Sequence, residues 1–279
     1  MLLNDITIVI TTFYSEKKLF ECLKSINNKC KVIVVENSNN KKLKEKLENN
    51  YKNLNCIITK ENFGYGKSNN LGLDMVKTKY ALVLNPDTIL AKDTLENFLE
   101  ASNKLKDFAI LGPHIQTEKE KNNIKTSTDA IAVKNIKGFA MFLNIEKFSK
   151  IGFFDENFFL YFEDIDLCRR VIANNNKIFL LPNVIIEHRG GKSVDFFNDK
   201  ELEHNRNWHW MWSSFYYYKK YNGFLKSLII FLPKLITTII KFIIFSVFRN
   251  KDKSKIYLFR FLGLSNSIRG KKSWYRPKI

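Results

Sequence analysis

The sequence lacks the marks of several common classes. Its four cysteines, at 22, 30, 56 and 168, include no C-x-x-C pair. That excludes a zinc ribbon and a thioredoxin-like centre, and it suits a reducing compartment. The N-terminal stretch MLLNDITIVI has no basic segment before its apolar run and carries Asp5, so it reads as a first strand and not as a signal peptide. No G-x-x-x-x-G-K-[ST] occurs, and the G-x-G at Gly64–Gly66 alone makes no dinucleotide fingerprint. Acid is nearly missing from one end. From Met211 to Ile279 there are 15 Lys and Arg against one acid, Asp252, whereas residues 1–210 hold 31 bases and 27 acids. The formal charge of +18 therefore sits on a basic tail behind an ordinary soluble front. Such a tail faces an anionic partner, a membrane surface or nucleic acid. With 45% apolar residues over 279 positions, the chain can bury a sizeable core in one large domain with an appendage, or in two domains.

What is present begins with alternation. Asp5–Thr11, Lys31–Val35, Leu54–Thr59 and Tyr80–Leu84 are short apolar, β-rich runs. Between them lie helical patterns, one starting after Ser15 as its cap and one over about Lys41–Asn50. Strands alternating with helices predict a mostly parallel sheet with helices on both faces. Ligands then bind beyond the carboxyl ends of the strands, where Thr11, Thr12 and Glu36 stand. Asn62-Phe63-Gly64-Tyr65-Gly66-Lys67-Ser68-Asn69-Asn70 permits a tight turn, and the expected helix Leu71–Lys77 would aim its N-terminus at an anion; a plain structural turn explains the same residues. Asn85-Pro86-Asp87 closes the fourth strand. It suits a hard cation shared with phosphates, or an Asx turn opening the Lys92–Leu105 helix. Later strands are expected at Phe108–Leu111, within Asn135–Asn144 around Gly138–Leu143, and at Lys177–Leu181, with a polar surface loop over Thr117–Thr128. His188 precedes the basic loop Arg189-Gly190-Gly191-Lys192-Ser193 and reads as a metal or phosphate ligand or as a structural histidine.

The stretch Phe153–Arg170 gathers the acids. Asp155 and Glu156 precede an aromatic run, Asn157–Phe162, and Glu163-Asp164 follow it. Helical spacing then sets in at Ile165, Leu167, Cys168, Val171 and Ile172. Two carboxylates in a first turn serve either as cap and dipole partners or as a general base beside an aromatic wall.

Together and in this order, these segments resemble an inverting glycosyltransferase of family 2 with the GT-A fold, nearest its rhamnosyltransferase-like branch, over roughly residues 5–220. The resemblance implies an α/β GT-A domain at 1–215 and a basic, apolar, membrane-associating helical extension at 216–279. It implies nucleotide-sugar contacts from Thr11, Thr12, Phe13, Glu36, Asn62, Gly64, Gly66, Asn69, Asn85 and Arg170. It implies a divalent cation, Mg²⁺ or Mn²⁺, on Asp87 with His188, and catalysis by Glu163-Asp164 with Asp164 as the base. Asn85 stands where the family has the first Asp of D-x-D, and Glu36 where Asp is commoner. The implied reaction moves a sugar, from dTDP-rhamnose or a UDP-sugar, to a hydroxyl of a lipid-linked or polysaccharide acceptor in cell-surface glycan synthesis. A catalytically inactive GT-A-like binding module and a basic nucleic-acid-binding protein are the competing readings. The second lacks a nucleic-acid motif.

In the tail, Trp208–Tyr221 reads as an interfacial aromatic belt, with His204 and His209 as packing or interfacial residues. Phe224–Phe248 is apolar and nearly long enough to span a bilayer. Its Ser227, Lys234, Thr238 and Lys241 share one narrow helical face. The expectation is a helix lying in the interface of the inner or plasma membrane, on the cytoplasmic side, with its lysines toward anionic headgroups. A spanning helix and a core-packing or homodimer seam are the alternatives.

Overall fold

The computed structural model describes residues 2–114, 129–188 and 199–276. The basic loop after His188 and the Thr117–Thr128 loop lie outside the described residues. The described chain divides into a sheet unit (2–63, 67–154, 164–188) and a helical unit (64–66, 155–163, 199–276).

In the sheet unit the strands are β1 Ile6–Thr12, β2 Lys31–Glu36, β3 Leu54–Ile58, β4 Tyr80–Leu84, β5 Thr88–Leu90, β6 Ile110–His114, β7 Ile131–Ala132, β8 Ala140–Asn144 and β9 Ile178–His188. Among the described residues they form one nine-stranded sheet in the order β3-β2-β1-β4-β8-β6-β9-β5, with β7 on β9. The first four strands are mutually parallel, and β8 enters antiparallel between β4 and β6. Helices α1 Glu16–Ser25, α2 Lys41–Asn50, α3 Tyr65–Leu73, α4 Thr94–Lys104, α5 Phe148–Ile151 and α6 Glu163–Ala173 connect or follow the strands. β1 and β4 are buried on both sides, which is why they read as unbroken apolar runs. The core joins Ile8, Ile10 and Leu82 to Phe98, Phe108 and Phe142. All four cysteines are buried and free.

Several boundaries differ from the sequence expectation. Ser15 stands at the N-cap of α1, but its hydroxyl donates to the Phe13 carbonyl. Helix α3 starts at Tyr65, not Leu71, so Gly66 and Asn69 are helical. Gly72 makes that helix fit: a Cβ there would fall 2.5 Å from Val9 of β1. Strand β9 runs through Pro182 to His188, longer than the expected Lys177–Leu181, because Pro can sit in a strand near an edge.

The helical unit contains α7 Asp199–Asn222, α8 Phe224–Val247 and α9 Lys251–Ile268. Trp208 and Trp212 are buried. They are bundle core rather than an aromatic belt, because Gly263 of α9 lets the helices close in: a Cβ there would lie 2.2 Å from the Trp208 carbonyl oxygen.

Candidate active site

The parallel strands bring one set of residues to one end of the sheet. Thr12 and Glu36 pair in register at the ends of β1 and β2. Asn85 follows β4, and its N–H donates to the Phe139 carbonyl at 2.8 Å. β8 is antiparallel to β4 with Leu84 opposite Ala140, so residues 138 and 139 arrive at this same end. β9 is antiparallel to β5 with Thr88 opposite His188, which sets His188 beside Asp87.

Asp87 is almost wholly buried, and its Oδ1 lies 3.5 Å from Nε2 of His188. Among the described residues, that oxygen and Oδ1 of Asn85 are both buried without a hydrogen-bond partner. Two enclosed oxygens lacking a donor are costly unless a cation takes that place. Cys22 lies nearby through Thr88, 3.6 Å away. Burial pushes its thiol up to about 12, so it stays protonated and supplies no thiolate. Phe139 stacks its ring on His188 with centroids 4.5 Å apart. His188 is therefore held between an aromatic face and Asp87.

Asp164 lies one backbone step away. Its Oδ2 accepts the Gly138 N–H at 2.9 Å, and its Oδ1 accepts the Ile165 N–H at 2.8 Å. A Cβ on Gly138 would come within 3.2 Å of the Asp164 Cβ, so a larger residue there would crowd this approach. Burial raises the Asp164 carboxyl above its ordinary range, against the pull of the two N–H donors. A carboxylate so placed, with its proton affinity raised, is suited to accept a proton. Residues 138–139 thus join Asp164 on one side to Asn85, Asp87 and His188 on the other.

The other predicted residues fall into two groups. Thr11 and Asn69 meet directly, Oγ1 to Oδ1 at 3.0 Å. Thr12 and Ser68 are fully buried, with hydroxyls lacking a partner among the described residues. Phe13, half-buried, makes an edge contact with Tyr14 at 4.8 Å, and Asn62 is half-buried. Glu36 and Arg170 are engaged within the protein. Glu36 accepts from the N–H groups of Ser38 at 2.9 Å and Asn40 at 2.6 Å and from the Ser38 hydroxyl, which fixes its loop. Arg170 donates to Asp166 at 2.8 Å and to the carbonyls of Ile151, Gly152 and Phe153. Asn70 grips the next residue reciprocally: its amide donates to the Phe154 carbonyl at 2.9 Å and accepts the Phe154 N–H at 3.0 Å.

Within the helical unit, the loop that leads into Glu163 is held by α7. Ser213 donates to the Leu160 carbonyl at 2.8 Å, and Lys220 to Asp155 at 2.7 Å. Phe159 packs on His209, and Tyr161 and Phe162 on Trp210. Tyr161 and Phe162 have φ of 69° and 70°, a strained left-handed pair that persists only where its surroundings impose it. Gly64, with φ of 80°, turns against the same loop: the Tyr65 N–H donates to the Phe159 carbonyl at 2.9 Å. Sequence reasoning did not find Ser213 or Trp210, because no local pattern announces a contact across about fifty residues.

A separate recess of about 700 Å³, lined by Lys79, Tyr80, Lys106, Asn144 and Lys150, lies at the opposite end of β4 and β8. It is a strand's length from Asn85 and plays no part in this site.

Comparison with known proteins agrees with the geometry. The model "Glycosyl transferase family 2" matches residues 7–169. The chain is 24% identical over 207 residues to a protein of Haloferax volcanii named low-salt glycan biosynthesis hexosyltransferase Agl10; the match covers 63% of this chain and 64% of that protein. It is 28% identical over 203 residues to rhamnosyltransferase WbbL of Escherichia coli K12, covering 60% of this chain and 75% of the relative. The fold is similar to that of mannosyltransferase PcManGT from Pyrobaculum calidifontis, with a TM-score of 0.61 at 12% identity over 96% of this chain and 88% of the other. A parallel sheet with this strand-end acid, and a family match over more than half the residues, lead to one assignment: the chain belongs to glycosyl transferase family 2, an enzyme family, and has its GT-A fold.

Proposed function

We propose that the chain is an inverting sugar transferase. It moves a hexose or 6-deoxyhexose from a nucleoside-diphosphate sugar to a hydroxyl of a lipid-linked or polysaccharide acceptor, at the cytoplasmic face of a membrane. The observation that carries this reading is the run Gly138-Phe139, which ties Asp164 to the Asn85–Asp87–His188 group. The names of the relatives, a glycan hexosyltransferase and a rhamnosyltransferase, support the acceptor and donor class. The mannosyltransferase neighbour was solved with GDP-Man and Mn²⁺, which supports a nucleotide sugar and a divalent cation.

The residues present fit a cation. Asp87 offers a buried oxygen that has no donor among the described residues, Asn85 offers a second, and His188 stands 3.5 Å from the first. Among the described residues no three His, Cys, Asp or Glu gather as a metal cage. That suits Mg²⁺ or Mn²⁺, which share their shell with substrate phosphates. When bound, such an ion neutralises the leaving diphosphate. Thr11, Thr12, Asn62, Gly64, Gly66 and Asn69 are assigned to the donor's nucleotide and diphosphate. Phe13 is assigned to the base. Glu36 and Arg170 serve by holding the loops 37–40 and 151–153 rather than by contact. Asp164 receives the proton of the attacking hydroxyl, and Glu163 stands beside it at the start of α6.

The test is a donor panel of dTDP-rhamnose, UDP-sugars and GDP-mannose, with and without Mn²⁺, Mg²⁺ and chelator, scored by nucleoside diphosphate release with membrane extract as acceptor. Metal-dependent release from one donor is expected. Release at an unchanged rate in chelator would defeat the Asp87 assignment. Tight donor binding without release from any donor would favour an inactive binding module.

A further inference from the structure

Helix α8 is built with its polar side inward. Ser227, Phe231 and Thr238 are its buried positions, and Phe231 packs on Phe215 and Tyr218 of α7. Further along, Phe245 stacks on Tyr257 of α9 at 5.5 Å, Lys241 donates to the Tyr257 hydroxyl at 3.3 Å, and Ser246 meets Ser254 at 2.7 Å. The face left outside carries Leu225, Ile229, Ile236, Ile240, Ile243 and Val247, all exposed. Their spacing of three, four or seven residues puts them on one stripe, and 24 residues make it about 36 Å long. A soluble bundle does the reverse. Lys226 flanks that stripe, whereas Lys234 and Lys241 lie on the side of Ser227 and Thr238, away from it.

Resting on the proposal of a membrane-bound transferase, we infer that α8 lies in the plane of an anionic bilayer, its isoleucine stripe in one leaflet and Lys226 at headgroup level, without crossing. Three observations select this occupant and this posture. The stripe is a contiguous row of six exposed large apolar side chains, the kind of surface that marks a protein or membrane contact. α8 contains no acid, and the only acid from Met211 onward is Asp252; a second copy seated on the stripe would set one strongly basic unit against another, whereas anionic lipid complements it. Crossing is opposed by the neighbours. α8 is paired along its length with α9, whose Asp252 bonds Lys200 of α7 at 2.8 Å and whose Arg260 bonds Asn207 at 2.6 Å. A spanning α8 would carry those charged groups into hydrocarbon. Lying flat, it immerses the stripe alone.

The experiment uses the full chain and sealed vesicles of phosphatidylcholine with or without phosphatidylglycerol. Flotation with the anionic vesicles is expected. The double variant Ile240→Glu/Ile243→Glu should reduce it by about tenfold or more, with unchanged circular dichroism and unchanged nucleotide-sugar binding. An Asn250→Cys variant, at the turn after α8, should react with a membrane-impermeant maleimide added outside, since the native cysteines are buried. Absence of flotation on anionic vesicles would overturn the membrane reading itself. Flotation with Asn250→Cys labelled only after lysis would overturn the in-plane placement alone. Sedimentation of a lipid-free dimer that Ile240→Glu dissociates would assign the stripe to a second copy instead.

Discussion

Asp164 accepts the Gly138 N–H at 2.9 Å, and the residue after Gly138 carries the ring stacked on His188. The proposed base is thus positioned by the same two residues that brace the proposed metal ligands. Its carboxyl is raised by burial, and this has two consequences. The activity should fall on the acid side at a pH above the ordinary carboxylate value of 3.8, as the base becomes protonated. A carboxyl raised by folding also holds its proton more tightly folded than unfolded, so its charge lowers stability as pH climbs from 3.8 toward the folded value. Asp164→Asn should therefore melt no lower than the parent at pH 7.5, bind donor normally, and lose about 10²–10⁴-fold in rate. A pH–rate profile with calorimetry reads both effects. A variant with full activity would remove Asp164 from the mechanism.

Asp87 gives the complementary prediction. It is a buried acid with one oxygen lacking a donor among the described residues, so Asp87→Asn should leave the metal-free melting temperature unchanged or higher. The parent should gain stability from Mn²⁺ with a nucleoside diphosphate, by roughly 2.7 kcal/mol at a hundredfold excess over Kd. The variant should gain little. Thermal shift with and without chelator decides it, and an equal gain in both proteins would move the metal elsewhere.

Gly64 tests the turn. Its φ is 80°, and a Cβ would lie 2.3 Å from the Phe159 carbonyl oxygen. Gly64→Ala must shift backbone and adopt a left-handed conformation, costing about 1–3 kcal/mol for the strain alone. A melting temperature lower by about 3–10 °C is expected, with weaker nucleotide binding at 25 °C. Unchanged binding would separate this turn from the donor.

Much of this was legible in the chain. The first four strands announce themselves because strands buried on both faces are continuous apolar runs, and the acids at their ends follow from the parallel topology. Glu36 could be placed but not its partners, since Ser38 and Asn40 claim it through their own backbone N–H groups. The start of α3 was hidden because Gly66 and Asn69 favour turns locally, and packing on β1 through Gly72 overrides them. Trp208 and Trp212 show the limit of composition. An aromatic cluster is the same in sequence whether it meets lipid or protein, and only Gly263 on a distant helix determines that it is core. The α8 wheel was readable, but which side faced outward was not, because that depends on α7 and α9 covering the polar stripe.

His209 supplies a pH test of the helical unit that owes nothing to catalysis. It is buried, with Nε2 2.9 Å from the Tyr275 carbonyl and Nδ1 3.0 Å from the Ser273 hydroxyl. Burial lowers its pKa from 6.5 to about 3, against the Tyr275 carbonyl, which favours the proton. The neutral ring fits both contacts, donating to Tyr275 and accepting from Ser273. Its stabilising effect is complete above about pH 6.5 and is lost as pH falls from there toward 3, because only the unfolded chain takes up the proton. Stability should decline in that window by at most about 1.4 kcal/mol per pH unit from this residue. His209→Gln cannot titrate, so it should be less stable at pH 7.5 and show a shallower decline from pH 6.5 to 4.5. Urea midpoints for both proteins across that range give the difference. Parallel declines would mean that another group carries the acid sensitivity.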